Sequence, residues 1–277
     1  VQNLAMATIA VDAMGGDHAP DEIVRGAVLA SQETDNKILL VGDRARIETL
    51  LSGLSYDPKQ IEVEHARDVI GMDEDPREAV ERKPLASMNV VARVVKDGRA
   101  EVMVTAGNTG AAIMACAKHF NRAPGVSRAA LAAVYPTEIR RGEKEDPFSL
   151  ILDVGATVTA APKDLVSFAV MGSVYASIIS RNARPKVALL SNGTEEMKGL
   201  PEIKEAHQFL KRGRQIQFIG NVEGVDIPKG TADVVVCGGF YGNIVVKMLE
   251  GVSETAMRLA LYAFKEKFLW KFGLLAL

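Results

Sequence analysis

The sequence is short of the residues that build metal and disulfide frameworks. It holds two cysteines, Cys116 and Cys237, and four histidines, at positions 18, 65, 119 and 207. No CxxC pair and no Cys/His cluster at zinc spacing occurs, so neither a structural metal nor a disulfide is expected, and a reducing compartment fits. Charge of one sign is also lacking: 33 Lys and Arg against 35 Asp and Glu leave a net charge of -2. A dedicated nucleic-acid binder would show a basic excess, so none is expected, and an acidic partner must be met by a local patch. No run of about 18 apolar residues is present, so nothing should span a membrane. Val1–Ala7 lacks the charged region and apolar core of a signal peptide. The expectation is a soluble, cytoplasmic protein. GxGxxG, GxxxxGK[ST] and GxSxG are all missing, which removes the usual markers of nicotinamide redox chemistry, nucleotide hydrolysis and covalent serine catalysis.

What is present is an alternation. With 277 residues and 48% hydrophobic content, the chain can bury a large core. Short apolar runs at Thr8–Asp12, Lys37–Val41, Ile61–Glu64, Glu101–Thr105, Ala130–Tyr135, Leu150–Val154, Lys186–Leu190, Gln215–Ile219 and Asp233–Cys237 read as strands. Several are continuous, as parallel strands covered on both faces require. Helical patterns fall between them, at Asp21–Ser31, Met88–Lys96, Ala111–Phe120, Asp164–Ser180 and Glu202–Lys211. This predicts an α/β fold with a mostly parallel, doubly wound sheet. No linker or repeat stands out, so residues 1–277 read as a single α/β domain with a helical segment from about 241 to the end. Thr137–Pro147, polar and charged, reads as an exposed loop.

The informative residues follow the strands: AMGGDHAP, AGNTGA, GATVTA, SNGTEEMKG and GGFYGN. Ligands of open parallel sheets bind at the carboxyl ends of the strands. Glycines there admit close backbone approach, and helix N-termini offer free N–H groups to an anion. The bland alternative for any one loop is a tight turn. Asp12, Gly15, Gly16, Asp17, Asn108, Thr109, Gly110, Thr194 and Gly239 are the candidate substrate- and phosphate-binding positions. Lys198 is the cationic candidate, able to neutralise phosphate, set against a solvated lysine at a helix start. Asn243 can donate its amide to an oxyanion, set against simple turn chemistry. His18 can carry a proton, whereas Asp17 and Asp21 also suit turn and helix-start roles. Cys116, in an alanine-rich helix, reads as a core thiol. Cys237 closes a strand beside the candidate loops, but the sequence places no base or cation to activate it.

At Asp12–Pro20, Thr105–Ala111, Leu152–Ala156, Val170–Ala176, Asn192–Gly199 and Gly238–Asn243 the chain resembles one family, the bacterial acyl-acyl-carrier-protein:phosphate acyltransferases. The resemblance runs from Thr8 to about Gly251. It implies a three-layer α/β/α fold similar to isocitrate and isopropylmalate dehydrogenases and to phosphotransacetylase. It also implies a homodimer, acyl carrier protein as partner, no cofactor or metal, and an acyl phosphate product passed to a membrane acyltransferase acting on glycerol 3-phosphate. Lys198 and Asn243 fall on its suspected catalytic pair. Thr157, Thr159, Gly238 and Leu200–Pro201 depart from its usual residues, and a further glycine-rich segment is expected after the point where this sequence stops. For the reaction itself, the reading taken here is direct attack of phosphate on the thioester, with His18 the candidate proton donor to the leaving thiolate.

Three rivals stand beside it: a phosphotransacetylase or phosphotransbutyrylase using coenzyme A thioesters, a metal-dependent 2-hydroxyacid dehydrogenase, and a non-enzymatic acyl sensor at a membrane. The acidic carrier would be met by Arg122, Arg128, Arg140, Arg141, Lys211, Arg212 and Arg214. In the final segment, Val245, Met248, Leu249, Val252, Ala256, Leu259 and Ala260 form one broad apolar side. Beyond it Phe264, Phe268, Leu269, Trp270, Phe272, Leu274 and Leu275 alternate with Lys265, Lys267 and Lys271. Such a mixture suits either a membrane surface or burial against further protein.

Overall fold

The computed structural model describes residues 6–266, with side chains as far as residue 262. The chain divides into two compact units, Val1–Ala123 and Pro124–Leu277. The strands are accordingly shared between two sheets.

The first unit runs β1 (Thr8–Asp12), α1 (Asp21–Glu33), β2 (Lys37–Gly42), α2 (Arg44–Ser52), β3 (Ile61–His65), α3 (Pro76–Arg82), α4 (Ser87–Lys96), β4 (Val102–Val104) and α5 (Thr109–His119). Its sheet has the order β3-β2-β1-β4, all parallel. Strand alternation sends side chains to opposite faces. Val11, Ile38, Leu40 and Ile61 pack with Val24, Ala27 and Val28 of α1 and Ile47 and Leu51 of α2. Ala10, Leu39 and Val41 pack on the other face with Val90, Val91 and Val94 of α4. Helix, sheet and helix therefore form three layers.

The second unit runs β5 (Ala132–Arg141), β6 (Asp146–Leu152), α6 (Pro162–Ser180), β7 (Lys186–Leu190), α7 (Pro201–Arg212), β8 (Gln217–Val222), α8 (Asp226–Lys229), β9 (Val234–Val236) and α9 (Gly239–Glu266). The order is β5-β6-β9-β7-β8, parallel except for β5 against β6. Leu150, Leu152, Val187, Leu189, Val234 and Val236 face Leu165 and Phe168 of α6 and Ile203 and Leu210 of α7. Ile151, Ala188, Val235 and Cys237 face Ile227 of α8 and Val245, Val246 and Leu249 of α9. Three layers result here as well. The mixed α/β fold with largely parallel sheets is the one expected from the βαβ alternation.

Two expectations need correction. Thr137–Pro147 is a hairpin rather than a loop: β5 continues to Arg141, only residues 142–145 turn, and β6 begins at Asp146. The reason is Arg141, whose side chain turns inward. Its Nε lies 2.5 Å from Asp233 Oδ1, Nη1 donates to Thr137 Oγ1 (2.6 Å) and Ile139 O (2.9 Å), and Nη2 donates to Gly230 O (2.9 Å). Buried to all but 5% of its surface, Arg141 is unavailable as part of a carrier-docking patch, whereas Arg140 beside it is exposed. The other correction is β8, which starts at Gln217 and runs to Val222, later than the apolar run Gln215–Ile219. Asn221 is drawn into the strand because its side chain bonds His207 Nδ1 (2.9 Å) and Glu195 O (2.9 Å).

Along α9, Val245 and Leu249 pack on the core, while Met248, Val252 and Leu259 are exposed. The mixed aromatic and lysine residues from Phe264 onward lie outside the described side chains, and those from Lys267 outside the described residues.

Candidate active site

In the first unit, the loops after β1 and β4 meet because those strands are neighbours. Asp12 closes β1 with 1% of its surface exposed, accepting hydrogen bonds from Thr105 Oγ1 (2.8 Å) and Met14 N (3.2 Å). A Cβ on Gly15 would lie 2.6 Å from Asp12 Oδ2 and 2.9 Å from Gly107 N, so only glycine lets the two loops touch. Gly16 has φ +110. Asp17 and His18 are exposed beyond it. Asn108 caps α5 through Oδ1 to Ala111 N (3.1 Å). Its amide donates to Met72 O and Glu74 O (3.2 Å each), so this side chain anchors the loop preceding α3. Thr109 is exposed at the first helical position, and Gly110 admits Pro76, which a Cβ would meet at 2.6 Å.

In the second unit, three loops leave the carboxyl ends of the neighbouring strands β6, β9 and β7. After β6, the buried Asp153 carboxylate accepts from the N–H groups of Leu131 (2.9 Å), Gly155 (3.1 Å), Ala156 (2.9 Å) and Thr157 (2.9 Å). After β9, Gly239 opens α9, and its N–H donates to Thr157 Oγ1 at 3.2 Å. Asn243 follows one turn later, exposed and beside Gly155. After β7, Lys198 is exposed, with Gly193 folded against its Cβ and Cγ. Thr194 is exposed in the same loop. Glu196 does not engage Lys198; it pairs with Lys211 at 2.5 Å and accepts from Gln208. The Lys211 hydrogen bond and then that from Gln208 hold the Glu196 carboxyl below its usual range.

Between these loops lies a cavity of about 770 Å³. Val158, Ala160, Leu165, Leu200, Ile203, Phe240, Tyr241, Ile244 and Val245 make its apolar wall, with Ser191, Asn192 and Glu202 among the polar lining. Phe240 and Tyr241 meet edge to face, centroids 5.5 Å apart. Gly199 and Ile244, the sequence neighbours of Lys198 and Asn243, also line it. Pockets of about 300–1,000 Å³ with apolar walls and a few polar groups are typical ligand sites. Cys237 lines the cavity too, but burial, and then the charge of Asp153, pushes its thiol up to about 12. That thiol is no nucleophile at neutral pH. Among the described residues no three His, Cys, Asp or Glu side chains gather as a metal site would require.

Lys198, Thr194, Gly239 and Asn243 thus lie on the loop after β7 and the start of α9 in the second unit; none of the four lines the cavity, although Gly199, Gly238, Phe240 and Ile244 beside them in sequence do. Asp12, Gly15, Gly16, Asp17, His18, Asn108, Thr109 and Gly110 lie in the first. The apolar wall was not singled out from the sequence. Its signal was large exposed apolar residues in the segments that follow strands, Val158 six residues past β6 and Phe240 four past β9, where a loop would favour polar ones.

Residues 7–277 match the family described as the fatty acid synthesis protein. The chain belongs to that family. Sequences similar to this chain include a phosphate acyltransferase of Thermosynechococcus vestitus, 45% identical over 259 residues, covering 94% of this chain and 74% of that one. A phosphate acyltransferase of Nitratidesulfovibrio vulgaris is 44% identical over 267 residues, covering 96% and 75%. Among solved structures, a phosphotransacetylase from Streptococcus pyogenes superposes with TM-score 0.65 at 18% identity, covering 90% of this chain and 82% of that chain. A branched-chain phosphotransacylase from Enterococcus faecalis gives TM-score 0.54 at 17% identity, covering 88% and 84%. These structures share the fold of this chain.

Proposed function

We propose that this chain is a phosphate acyltransferase that moves a fatty acyl group from acyl-acyl carrier protein to inorganic phosphate. The observation that carries the reading is the apolar cavity at the carboxyl ends of β7 and β9, bordered by the Lys198 loop on one strand and the Asn243 helix on the other. The phosphate acyltransferases at 44–45% identity support it.

In this reading the acyl chain occupies the apolar cavity and its thioester lies at the polar border. A phosphate oxygen attacks the carbonyl carbon, forming the C–O bond of the acyl phosphate. The tetrahedral oxyanion then collapses, and the carrier leaves as thiolate, which takes a proton. Holding the two reactants in line lowers the barrier by up to several kcal/mol. Lys198 Nζ offsets phosphate charge, and the Asn243 amide donates to the oxyanion, a contact whose loss costs roughly 3 kcal/mol. Asp153 and Thr157 hold the turn on which Asn243 rests.

The product is an acyl phosphate for a membrane acyltransferase acting on glycerol 3-phosphate, within phospholipid synthesis. Homodimerisation and peripheral membrane contact belong to the same proposal. The exposed apolar residues Met248, Val252, Met257 and Leu259 along α9 support such contact. Among the described residues no helix is long and apolar enough to cross a membrane.

The test is phosphate-dependent release of carrier thiol from a long-chain acyl-acyl carrier protein. Turnover with acyl-coenzyme A alone would make the chain a phosphotransacylase. Binding without turnover would make it an acyl sensor.

A further inference from the structure

We infer that Thr157 is a positioning residue for acyl transfer, acting through Asn243; the inference rests on the reading of Asn243 as the oxyanion donor. The first N–H groups of any α-helix lack intrahelical partners and must be satisfied from outside. At the start of α9, the buried Gly239 N–H is satisfied by the Thr157 hydroxyl oxygen at 3.2 Å. Thr157 is itself fixed, since its own N–H donates to Asp153 Oδ2 at 2.9 Å. Asp153 Oδ1 holds the intervening turn through Gly155 N (3.1 Å) and Ala156 N (2.9 Å). The hydroxyl therefore links a rigid turn to the helix that presents Asn243.

Gly239 and Asn243 are four residues apart, on one face of α9. The same turn reaches both: a Cβ built on Gly155 would lie 3.9 Å from Asn243 Cβ and Oδ1. The turn cannot drift toward the helix, because Gly239 already sits where a Cβ would be 2.3 Å from Thr157 O. At the other end of the turn, Asp153 is tied to the chain just before α9 by its N–H, which donates to Cys237 O (3.1 Å), and by Cys237 Sγ, which donates to its carbonyl (3.3 Å), so the Thr157 hydroxyl is the tie that reaches the helix's own first N–H. The Asn243 side chain is exposed and its amide makes no hydrogen bond among the described residues. Its aim is set by the backbone beneath it, and a displacement of about 1 Å is enough to cost up to a hundredfold in rate.

The experiment compares Thr157→Val, Thr157→Ser and Thr157→Ala with wild type, singly and in an Asn243→Ala background, using long-chain acyl-acyl carrier protein and phosphate. Valine keeps the shape and removes the acceptor, whereas serine keeps the acceptor and removes the methyl. The expected result is a fall of roughly tenfold in kcat for valine and alanine, an unchanged KM for phosphate, and near-normal kcat for serine. In the Asn243→Ala background the same substitutions should change kcat by less than about twofold, since coupled residues are not additive. If valine does not fold, the serine and alanine pair decides alone. Equal losses for serine and alanine, unchanged kcat for valine or alanine, or full additivity with Asn243→Ala would overturn the inference. A wild-type chain with no phosphate-dependent thiol release would instead defeat the proposed function, and the two failures read differently.

Discussion

Gly242 leaves Asp153 no spare room: a Cβ on Gly242 would stand 1.9 Å from the Asp153 carbonyl oxygen and 2.9 Å from Cys237 Sγ. The loop after β6 thus lies directly against the first turn of α9, backbone to backbone. Gly242→Ala must push the two apart. Overpacking of this kind costs about 1–3 kcal/mol and often displaces backbone. The variant should melt several degrees lower and lose most acyl transfer, whereas Gly251→Ala, with nothing within 4 Å, should do neither. A Gly242→Ala protein with native stability and activity would contradict the packing.

Lys198→Ala and Asn243→Ala should each lower kcat by about a hundredfold or more while the fold stays intact, the scale of a lost oxyanion or phosphate contact. Both side chains are exposed, so removing them leaves no cavity in the core. Single-turnover rates and circular dichroism on the same samples separate chemistry from folding. Near-normal rates in both variants would exclude the pair.

How much of this was legible beforehand depends on the range of the interaction. The apolar runs Lys37–Val41 and Lys186–Leu190 are strands because both their faces are buried, and that is written locally. The positions of Lys198 and Asn243 after strands were legible for a similar reason, while their roles belong to the proposed function. The hairpin at 137–147 was not, because its charged residues obscure a single inward-turned Arg141 whose partners Gly230 and Asp233 are some 90 residues away. The division into two sheets was missed although Pro124–Gly125 stands at the boundary, because one Pro-Gly pair marks a turn within a domain as readily as a boundary between two. The cavity was hidden for the same reason as the hairpin: Ala160, Ile203 and Tyr241 become neighbours only after β6, β7 and β9 pair.

The cavity wall offers a test of where the acyl chain goes. Gly238 lines it, and a Cβ there would make only ordinary contacts, 3.8 Å from Ala160 Cβ and 4.0 Å from Tyr241. Gly238→Phe can therefore be accommodated by the backbone while its ring occupies cavity space. Each methylene displaced into water forfeits about 0.8 kcal/mol. The variant should raise KM severalfold for long-chain acyl donors and little for short ones. Equal effects on both chain lengths would move the acyl site elsewhere.

Arg140 and Arg141 are adjacent but should behave oppositely. Arg141→Ala removes the cation paired with the nearly buried Asp233 carboxylate, which keeps only the Lys186 N–H and the Asn182 amide on Oδ2, and takes a donor from the Gly230 carbonyl; breaking such a buried pair costs about 3–5 kcal/mol. Its urea midpoint should fall sharply. Arg140→Glu, fully on the surface, should leave stability within about 0.5 kcal/mol of wild type. If the exposed basic residues recruit an acidic carrier, Arg140→Glu should also raise KM for the carrier at low salt. Loss of stability in the Arg140 variant, or none in the Arg141 variant, would reverse the assignment.

Cys237 makes the last prediction, and its sign can be worked out. The thiol is buried against the Asp153 carbonyl, to which Sγ donates at 3.3 Å, and its pKa is pushed up to about 12 by burial first and the Asp153 charge second. In the unfolded chain the same thiol titrates at about 8.5. The folded state therefore binds the proton more tightly, so this contribution to stability is complete below about pH 8.5. It is lost progressively as pH rises from there through about 12. Between pH 7 and pH 10 the loss from this one group is on the order of 1–2 kcal/mol. Wild type should lose more stability over that interval than Cys237→Ala, by about that amount, when both are unfolded in urea. At pH 8 the native Cys237 thiol stays protonated and buried, so iodoacetamide should leave Cys237 unlabelled until denaturant is added. Rapid native labelling of Cys237, or equal alkaline losses in the two proteins, would show that the thiol is not held buried and protonated in the native state.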